Sequence, residues 1–188
     1  MQDLPPTRRR ATYADLEAVP PNLVAELIDG ELVTHPRPRF RHSHTEFALP
    51  SVLMPAFGRK GSDPGGWWFG VEPELHLDDH VLVPDLAGWR RERMPEFPDA
   101  AFIEIAPDWL FEISSPSTQR HDRGSKRDIY GSHGVSHIWF VDPEARLLEA
   151  FEPRDGLWVL LKTYQDNDEV AAPPFAEGPF ALGLLWPV

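Results

Sequence analysis

Cysteine is absent from the 188 residues, and this absence removes several classes of site. Disulfides, thiolate nucleophiles and cysteine-based zinc sites all require a side chain that the chain does not have. Any bound metal ion must therefore be held by oxygen or imidazole ligands.

Long apolar runs are also missing. No stretch reaches the ~18 consecutive apolar residues from which a membrane-spanning helix is recognised. The opening residues 1–10 lack the apolar segment that a secretory signal needs. We therefore expect a soluble, cytoplasmic protein without a membrane span.

Positive charge is scarce as well, with a formal net charge of −12. Non-specific binding to phosphate backbones depends on clustered cations, so this balance argues against a protein that coats nucleic acid. An acidic nuclease stays compatible with it, because divalent cations and a local arginine patch can offset the charge where the substrate lies. Two loops offer candidate arginine patches: one contains Arg37, Arg39 and Arg41, and the other contains Arg90, Arg91 and Arg93. Solvated charge in a surface loop is an equally good interpretation of either patch.

Hydrophobic patterning predicts both helices and strands. The Asp29-Gly30 pair between two apolar runs predicts an N-terminal β-hairpin over residues 23–34. Helical patterns cover residues 12–17, 42–57 and 118–133, and we expect Pro50 and Pro55 to interrupt the second one. Strand patterns cover residues 67–77, 81–89, the run around Glu112, 136–141, 147–151 and 157–161. The order of these elements indicates an α/β fold with a mixed sheet.

The length and the hydrophobic content of 41% favour one domain with a real core. We assign residues 12–188 to this domain and residues 1–11 to a loose N-terminal segment. The closing apolar residues 180–186 are expected to dock on the sheet.

Two acidic residues stand inside apolar, strand-like runs. Asp85 lies within residues 81–87 and Glu112 lies within residues 109–113. A buried charge is costly unless it is paired or binds a metal. If the two strands are neighbours, the carboxylates can meet, and they repel each other unless a cation lies between them. Mg²⁺ or Mn²⁺ is the cation that suits an all-oxygen site completed by water and phosphate.

Lys126 is the third candidate. It follows the Glu112 strand in a helical segment, and its spacing of four from Asp122 and from Tyr130 places the three residues along one side. A lysine there would orient an attacking water or neutralise charge that develops on phosphorus. The alternative is an exposed helix residue in a surface ion pair with Asp122. Tyr130 is expected to pack the helix against the sheet.

The sequence resembles the Uma-type restriction endonuclease family within the PD-(D/E)xK nuclease superfamily. The resemblance covers roughly residues 12 to 185 and rests on an ordered series of motifs: Glu26–Val33, His44, Pro84-Asp85, Glu112–Thr118, Asp122, Lys126, Tyr130, Gly134-Val135 and Ile138–Pro143.

This resemblance implies a restriction-endonuclease-like fold, in which helices flank a central mixed sheet and the metal site lies where the central strands diverge. It also implies that Asp85 and Glu112 are ligands of Mg²⁺ or Mn²⁺, with the Ile113 carbonyl as a third candidate ligand. The usual superfamily motif carries a lysine two residues after the acid, where this chain has Ser114. Lys126 would supply that lysine from the next helix.

Accessory candidates come from the hairpin and from the first long helix. Superfamily members often add an acid to the metal site near the hairpin, where Glu26 and Glu31 lie on either side of the turn. Glu31 is therefore a candidate accessory residue, and an exposed strand acid is the equal alternative. His44 is a candidate for contact with a metal-bound water or a phosphate. Four other histidines show no metal-ligand spacing and are not site candidates: His42, His121, His133 and His137.

The serines at 114, 115 and 117 lack the surroundings of a nucleophilic serine, and we expect them to form a polar turn before the helix. Three functions therefore stay open. The first is a Mg²⁺-dependent DNA endonuclease that acts as a homodimer, since related enzymes commonly pair two active sites. The second is a nuclease-fold binding module with little turnover. The third is a homodimeric protein partner that associates through the aromatic residues Trp67, Trp68 and Phe69.

Overall fold

Helical segments separate runs of consecutive strands in the computed structural model, which describes residues 9–59, 66–115 and 119–187. In chain order the strands are β1 (Leu23–Ile28), β2 (Glu31–Pro36), β3 (Trp67–Val71), β4 (Leu75–Leu77), β5 (His80–Leu82), β6 (Leu86–Arg90), β7 (Trp109–Ile113), β8 (His137–Asp142), β9 (Leu147–Arg154), β10 (Leu157–Gln165), β11 (Glu169–Val170) and β12 (Phe180–Ala181). The helices are α1 (Tyr13–Glu17), α2 (Phe40–Phe57), α3 (Gln119–His121) and α4 (Arg127–Ser132), with a π-helical turn over Asp122–Lys126 and a 3₁₀ turn over Leu182–Leu185.

The central sheet has six strands in the order β10-β9-β8-β7-β6-β3. It is mixed, because β7 pairs with β8 in parallel and the other neighbours are antiparallel. A second sheet has the order β2-β1-β5-β4. The α/β fold with a central mixed sheet and an N-terminal hairpin is thus confirmed.

Side chains of the central sheet alternate between two apolar clusters. On β7, for example, Trp109 and Phe111 enter the cluster that is covered by α2 and the C-terminal residues, whereas Leu110 enters the cluster that is covered by α4 and the second sheet. The period of two in a strand produces this division. Glu112 is two residues after Leu110, so it faces the α4 side.

The predicted hairpin is present. Strands β1 and β2 pair in register from Leu23 opposite Pro36 to Ile28 opposite Glu31. Asp29 and Gly30 both have positive φ, at 52° and 79°, as the tight turn between two such strands requires. Of the N-terminal segment expected to be loose, residues 1–8 lie outside the described residues.

Two of the predicted strands are each divided. The run 67–77 splits at Glu72-Pro73 into β3 and β4, which join different sheets. The run 81–89 splits at Pro84-Asp85 into β5 and β6, which also join different sheets. Proline cannot donate a hydrogen bond to a strand ladder, which explains why the strands end at these points. Asp85 therefore lies at a junction between strands and not within one.

Helix α2 runs without interruption from Phe40 to Phe57, so the predicted break at its prolines was wrong. Pro50 is half-buried and Pro55 is exposed. The helix is anchored in the core by Leu49 and Leu53, which are almost fully buried. Core packing therefore outweighs the loss of two backbone hydrogen bonds.

The predicted helix over residues 118–133 is not regular. Its first residue lies outside the described residues, and the backbone leaves the helical conformation at Gly124, where φ is −111° and ψ is −115°. Glycine is a poor helix former, which makes it a natural place for such a kink. The kink divides the segment into α3, the π-helical turn and α4.

The C-terminal apolar residues dock as predicted. Phe180, Leu182 and Leu185 are buried in the cluster beneath α2, and the Thr45 hydroxyl donates a hydrogen bond to the Leu185 carbonyl at 3.1 Å. None of the described helices combines the length and apolarity needed to cross a membrane.

The aromatic strand β3 lies at one edge of the central sheet, and its tryptophans contact other parts of the molecule. Trp67 is buried, and Trp68 and Phe69 are partly buried. The Trp68 indole donates to the Met94 carbonyl at 3.0 Å and lies beneath the Arg91 guanidinium. These residues have packing partners within the molecule, and the dimer contact through them stays a prediction. A homodimer stays a prediction.

Candidate active site

Glu112 occupies the centre of the candidate site. It is on β7, in the middle of the central sheet, and is only 2% exposed. Its Oε1 accepts a hydrogen bond from the Tyr130 hydroxyl at 3.1 Å and lies 3.1 Å from the Nζ of Lys126. The buried carboxyl group therefore has polar partners within the protein.

Asp85 meets Glu112 through the pairing of β6 with β7. This pairing sets Leu86 opposite Phe111, so the next step of the antiparallel register brings Asp85 beside Glu112. The Asp85 Oδ2 accepts a hydrogen bond from the Ile113 N–H at 2.6 Å. A longer contact of 3.5 Å joins the Asp85 N–H to Oε2 of Glu112. The two acids are neighbours, as predicted, although Asp85 comes from a turn.

Lys126 is buried, with 2% exposure, so the alternative of an exposed surface ion pair was wrong. Its Nζ lies 3.1 Å from Glu26 Oε1, 3.1 Å from Glu112 Oε1 and 3.0 Å from Asp122 Oδ1. Burial alone would lower the pKa of this lysine, but the three carboxylates outweigh it and raise the pKa well above its usual value. Lys126 is therefore a permanent cation at neutral pH.

The hairpin contributes Glu26 to the site. Glu26 alternates with Val24 and Ile28 on the buried side of β1, and its Oε1 accepts a hydrogen bond from the Val83 N–H at 2.8 Å. Burial would raise its pKa, but Lys126, His35 and the Val83 N–H together lower it to about 2. The accessory acid proposed from the sequence, Glu31, is exposed and does not line the cleft beside Glu112.

Negative charge exceeds positive charge in this cluster. Among the described residues, four carboxylates meet at or beside one ammonium group: those of Glu26, Asp85, Glu112 and Asp122 around Lys126. Burial, followed by the repulsion from Asp122, Asp85 and Glu26, raises the pKa of Glu112 well above its usual value despite the attraction of Lys126. Such a cluster favours the binding of an additional cation.

The donor atoms fit a hard divalent cation. One oxygen of each acid has the closer contact, since Oδ2 of Asp85 accepts from the Ile113 N–H at 2.6 Å and Oε1 of Glu112 lies 3.1 Å from Lys126. The other oxygens have longer contacts, at 3.3 Å from Asp85 Oδ1 to His42 and at 3.5 Å from Glu112 Oε2 to the Asp85 N–H. Both acids and Ile113 line a cleft of about 530 Å³. No group of three or more His, Asp or Glu residues in the described ranges is arranged to enclose a metal by itself. Mg²⁺ and Mn²⁺ can bind at a site with few protein ligands, because water and substrate phosphates supply much of their coordination.

His42 is a site residue that the sequence interpretation missed. Its Nε2 lies 3.3 Å from Oδ1 of Asp85, and it lines the cleft. Burial would lower its pKa, but the hydrogen bond and the charge of Asp85 outweigh burial and raise it. The predicted accessory residue, His44, is two positions further along α2 and does not line the cleft. Residues two apart on a helix do not share a face.

A signal for His42 was present in the sequence. His42 and Glu46 are four residues apart on α2, the spacing that places a histidine and an acid on one helical face. Burial, then the charges of Asp85 and Glu72, raise the pKa of Glu46 to about 7.

The two arginine clusters have different surroundings. In the cluster on β6 and the turn that follows it, the Arg91 guanidinium stacks on Trp68, and Arg93 forms an ion pair with Asp108 at 2.8 Å. The other cluster follows β2, and its three arginines at positions 37, 39 and 41 line the same cleft as Asp85 and Glu112. Ser114 and Ser115 also line the cleft, whereas Ser117 lies outside the described residues.

Comparison with known proteins agrees with this architecture. The fold matches the crystal structure of a "putative nuclease belonging to DUF820" from Anabaena variabilis with a TM-score of 0.76, at 22% identity, over 94% of this chain and 97% of that chain. No curated protein matches the sequence. The Uma2 family model, described as "Putative restriction endonuclease", matches residues 10–183. The chain therefore belongs to the Uma2 family of restriction endonuclease-like proteins.

Proposed function

We propose that the protein is a Mg²⁺- or Mn²⁺-dependent endonuclease that hydrolyses phosphodiester bonds in DNA. The observation that carries this proposal is the meeting of Asp85, Glu112 and the buried Lys126 at one cleft. Membership of the restriction endonuclease-like family supports nuclease activity.

Asp85 and Glu112 would hold the ion through carboxylate oxygens, and the Ile113 carbonyl stays the third candidate ligand. Such an ion polarises a phosphoryl oxygen and lowers the pKa of bound water. The protein prepares its ligands in advance, because the Ile113 N–H orients Asp85 and the Tyr130 hydroxyl orients Glu112.

Lys126 takes the part that other members of the superfamily give to a lysine at the position of Ser114. It reaches the site from the π-helical turn and is one of the residues that line the cleft. Because its charge is permanent, it would stabilise the negative charge that grows on the phosphate during attack.

The surroundings of Lys126 also favour a second candidate function, a nucleic-acid-binding module with little turnover. An ammonium group has three N–H donors, and three carboxylates lie within 3.1 Å of this one. A lysine with all its donors occupied has none for a water or a phosphate unless an arriving cation draws Glu112 away.

Two measurements distinguish the candidates. An active endonuclease should nick supercoiled plasmid in Mg²⁺ or Mn²⁺, and Glu112→Gln should abolish nicking while Glu177→Gln, at an exposed position, preserves it. Calorimetric titration should show Mn²⁺ binding that Asp85→Asn removes. Metal binding without nicking on single-stranded or duplex DNA would support the binding module, and absence of both would reject the endonuclease.

A further inference from the structure

The rim of the cleft carries an exposed aromatic residue between two arginines. Arg39 and Arg41 both line the cleft, and Phe40, which begins α2, is 89% exposed. Single exposed apolar residues are common on protein surfaces, so the feature that distinguishes Phe40 is its place between two arginines that line a charged cleft.

The two arginines are available to such a ligand. Among the described residues, neither Arg39 nor Arg41 has a carboxylate partner, and both are exposed. Arg37, by contrast, is held by Glu72 at 3.3 Å. In a chain with a net charge of −12, Arg39 and Arg41 offer positive charge next to the acidic cluster that a polyanionic substrate must approach.

We propose that Arg39, Phe40 and Arg41 bind a single-stranded segment of nucleic acid next to the scissile phosphate, with phosphates on the two arginines and an unpaired base stacked on the Phe40 ring. This inference rests on the proposed function, which places a phosphodiester in the adjoining cleft. Bases within a duplex are already stacked, whereas an unpaired base has a free face for an aromatic side chain.

The size of the cleft agrees with one strand. Its volume of about 530 Å³ is in the range of pockets for small ligands, so it can hold a nucleotide-sized piece of one strand. The preferred substrate is therefore single-stranded DNA, or an unpaired stretch at a flap or a frayed end.

The test compares the binding of a fluorescein-labelled oligothymidylate with that of a blunt hairpin duplex by fluorescence anisotropy, in EDTA so that hydrolysis is suspended. Wild type should bind the single strand at least about fivefold more tightly than the duplex. Phe40→Ala should weaken single-strand binding by at least about fivefold, the lower end of the effect of removing one stacked base, and Phe40→Trp should retain it.

The matched control is Phe47→Ala, because Phe47 is on the same helix, is 78% exposed and does not line the cleft. It should bind like wild type. Arg39→Gln and Arg41→Gln should each reduce the slope of log affinity against log salt by about 0.7, whereas Arg154→Gln, at the exposed end of β9, should leave the slope unchanged.

Equal binding of both probes, no binding of either, or equal effects of Phe40→Ala and Phe47→Ala would overturn the inference. Its failure is separable from failure of the proposed function. Plasmid nicking without a role for Phe40 would leave the endonuclease standing, and Phe40-dependent binding without nicking would leave the single-strand site standing.

Discussion

The Nζ of Lys126 lies 3.1 Å from Oε1 of Glu112, and both side chains are almost completely buried. Three carboxylates surround this one ammonium group, so the lysine is a structural centre of the site as well as a candidate catalytic group. The contact links β7 to the π-helical turn. Its effect on the stability of the fold can therefore be measured separately from DNA cleavage.

Replacement of the lysine should destabilise the fold. Lys126→Met leaves three buried carboxylates without their cation, and we expect a loss of about 3–5 kcal/mol in the free energy of unfolding, measured by urea denaturation. Adding Glu112→Gln should recover part of this loss, because the double variant removes one uncompensated charge. A loss below about 1 kcal/mol would contradict the buried environment of Lys126.

Replacement of the central acid should separate stability from metal binding. Because burial and neighbouring carboxylates disfavour the charged form of Glu112, its neutral isostere in Glu112→Gln should be as stable as wild type at pH 8 without metal. Lys126 retains Glu26 and Asp122 as partners. Mn²⁺ binding and DNA cleavage should nevertheless fall by more than about 100-fold. Calorimetry and plasmid nicking measure the two effects, and unchanged Mn²⁺ affinity would remove Glu112 from the ligand set.

The two histidines of α2 form a matched pair. His42→Asn removes the partner of Asp85 at 3.3 Å, and we expect a loss of roughly tenfold or more in Mn²⁺ affinity or nicking rate. His44→Asn, on another face of the same helix, should leave both quantities unchanged. Equal effects of the two substitutions would show that His42 acts through helix stability alone, which thermal unfolding of both variants would detect.

Glu46 should make stability depend on pH. Its pKa rises to about 7 in the folded protein from an ordinary value of 4.5, so between these values the folded state binds more protons than the unfolded state. The contribution of Glu46 to the free energy of unfolding is therefore fully present below about pH 4.5 and is lost as the pH rises through about 7. Glu46→Gln should stabilise the protein at pH 8 by on the order of 1–3 kcal/mol and flatten the profile. Urea denaturation curves recorded from pH 5 to pH 8 measure this pH dependence. The prediction would be contradicted if the free energy of unfolding changed with pH equally in Glu46→Gln and in wild type.

Local sequence patterns were sufficient for several features. The turn at Asp29-Gly30 follows from the φ values that these residues tolerate, and the predicted hairpin is present. The buried strand around Glu112 follows from its apolar neighbours. The same approach did not detect the break at Pro84-Asp85, because the apolar residues on both sides favoured one continuous strand although Pro84 marked its end.

The sequence by itself determined which residues were unusual: two acids in apolar runs, a rare lysine after the second of them, and the order of motifs that identifies the family. Only the tertiary structure decided which accessory groups join them, selecting Glu26 over Glu31 and His42 over His44, and burying Lys126 among three acids. The physical reason is that periodicity determines which residues of one element share a face. Which distant element covers that face, and so whether a charge is exposed or paired, depends on packing between segments far apart in the chain.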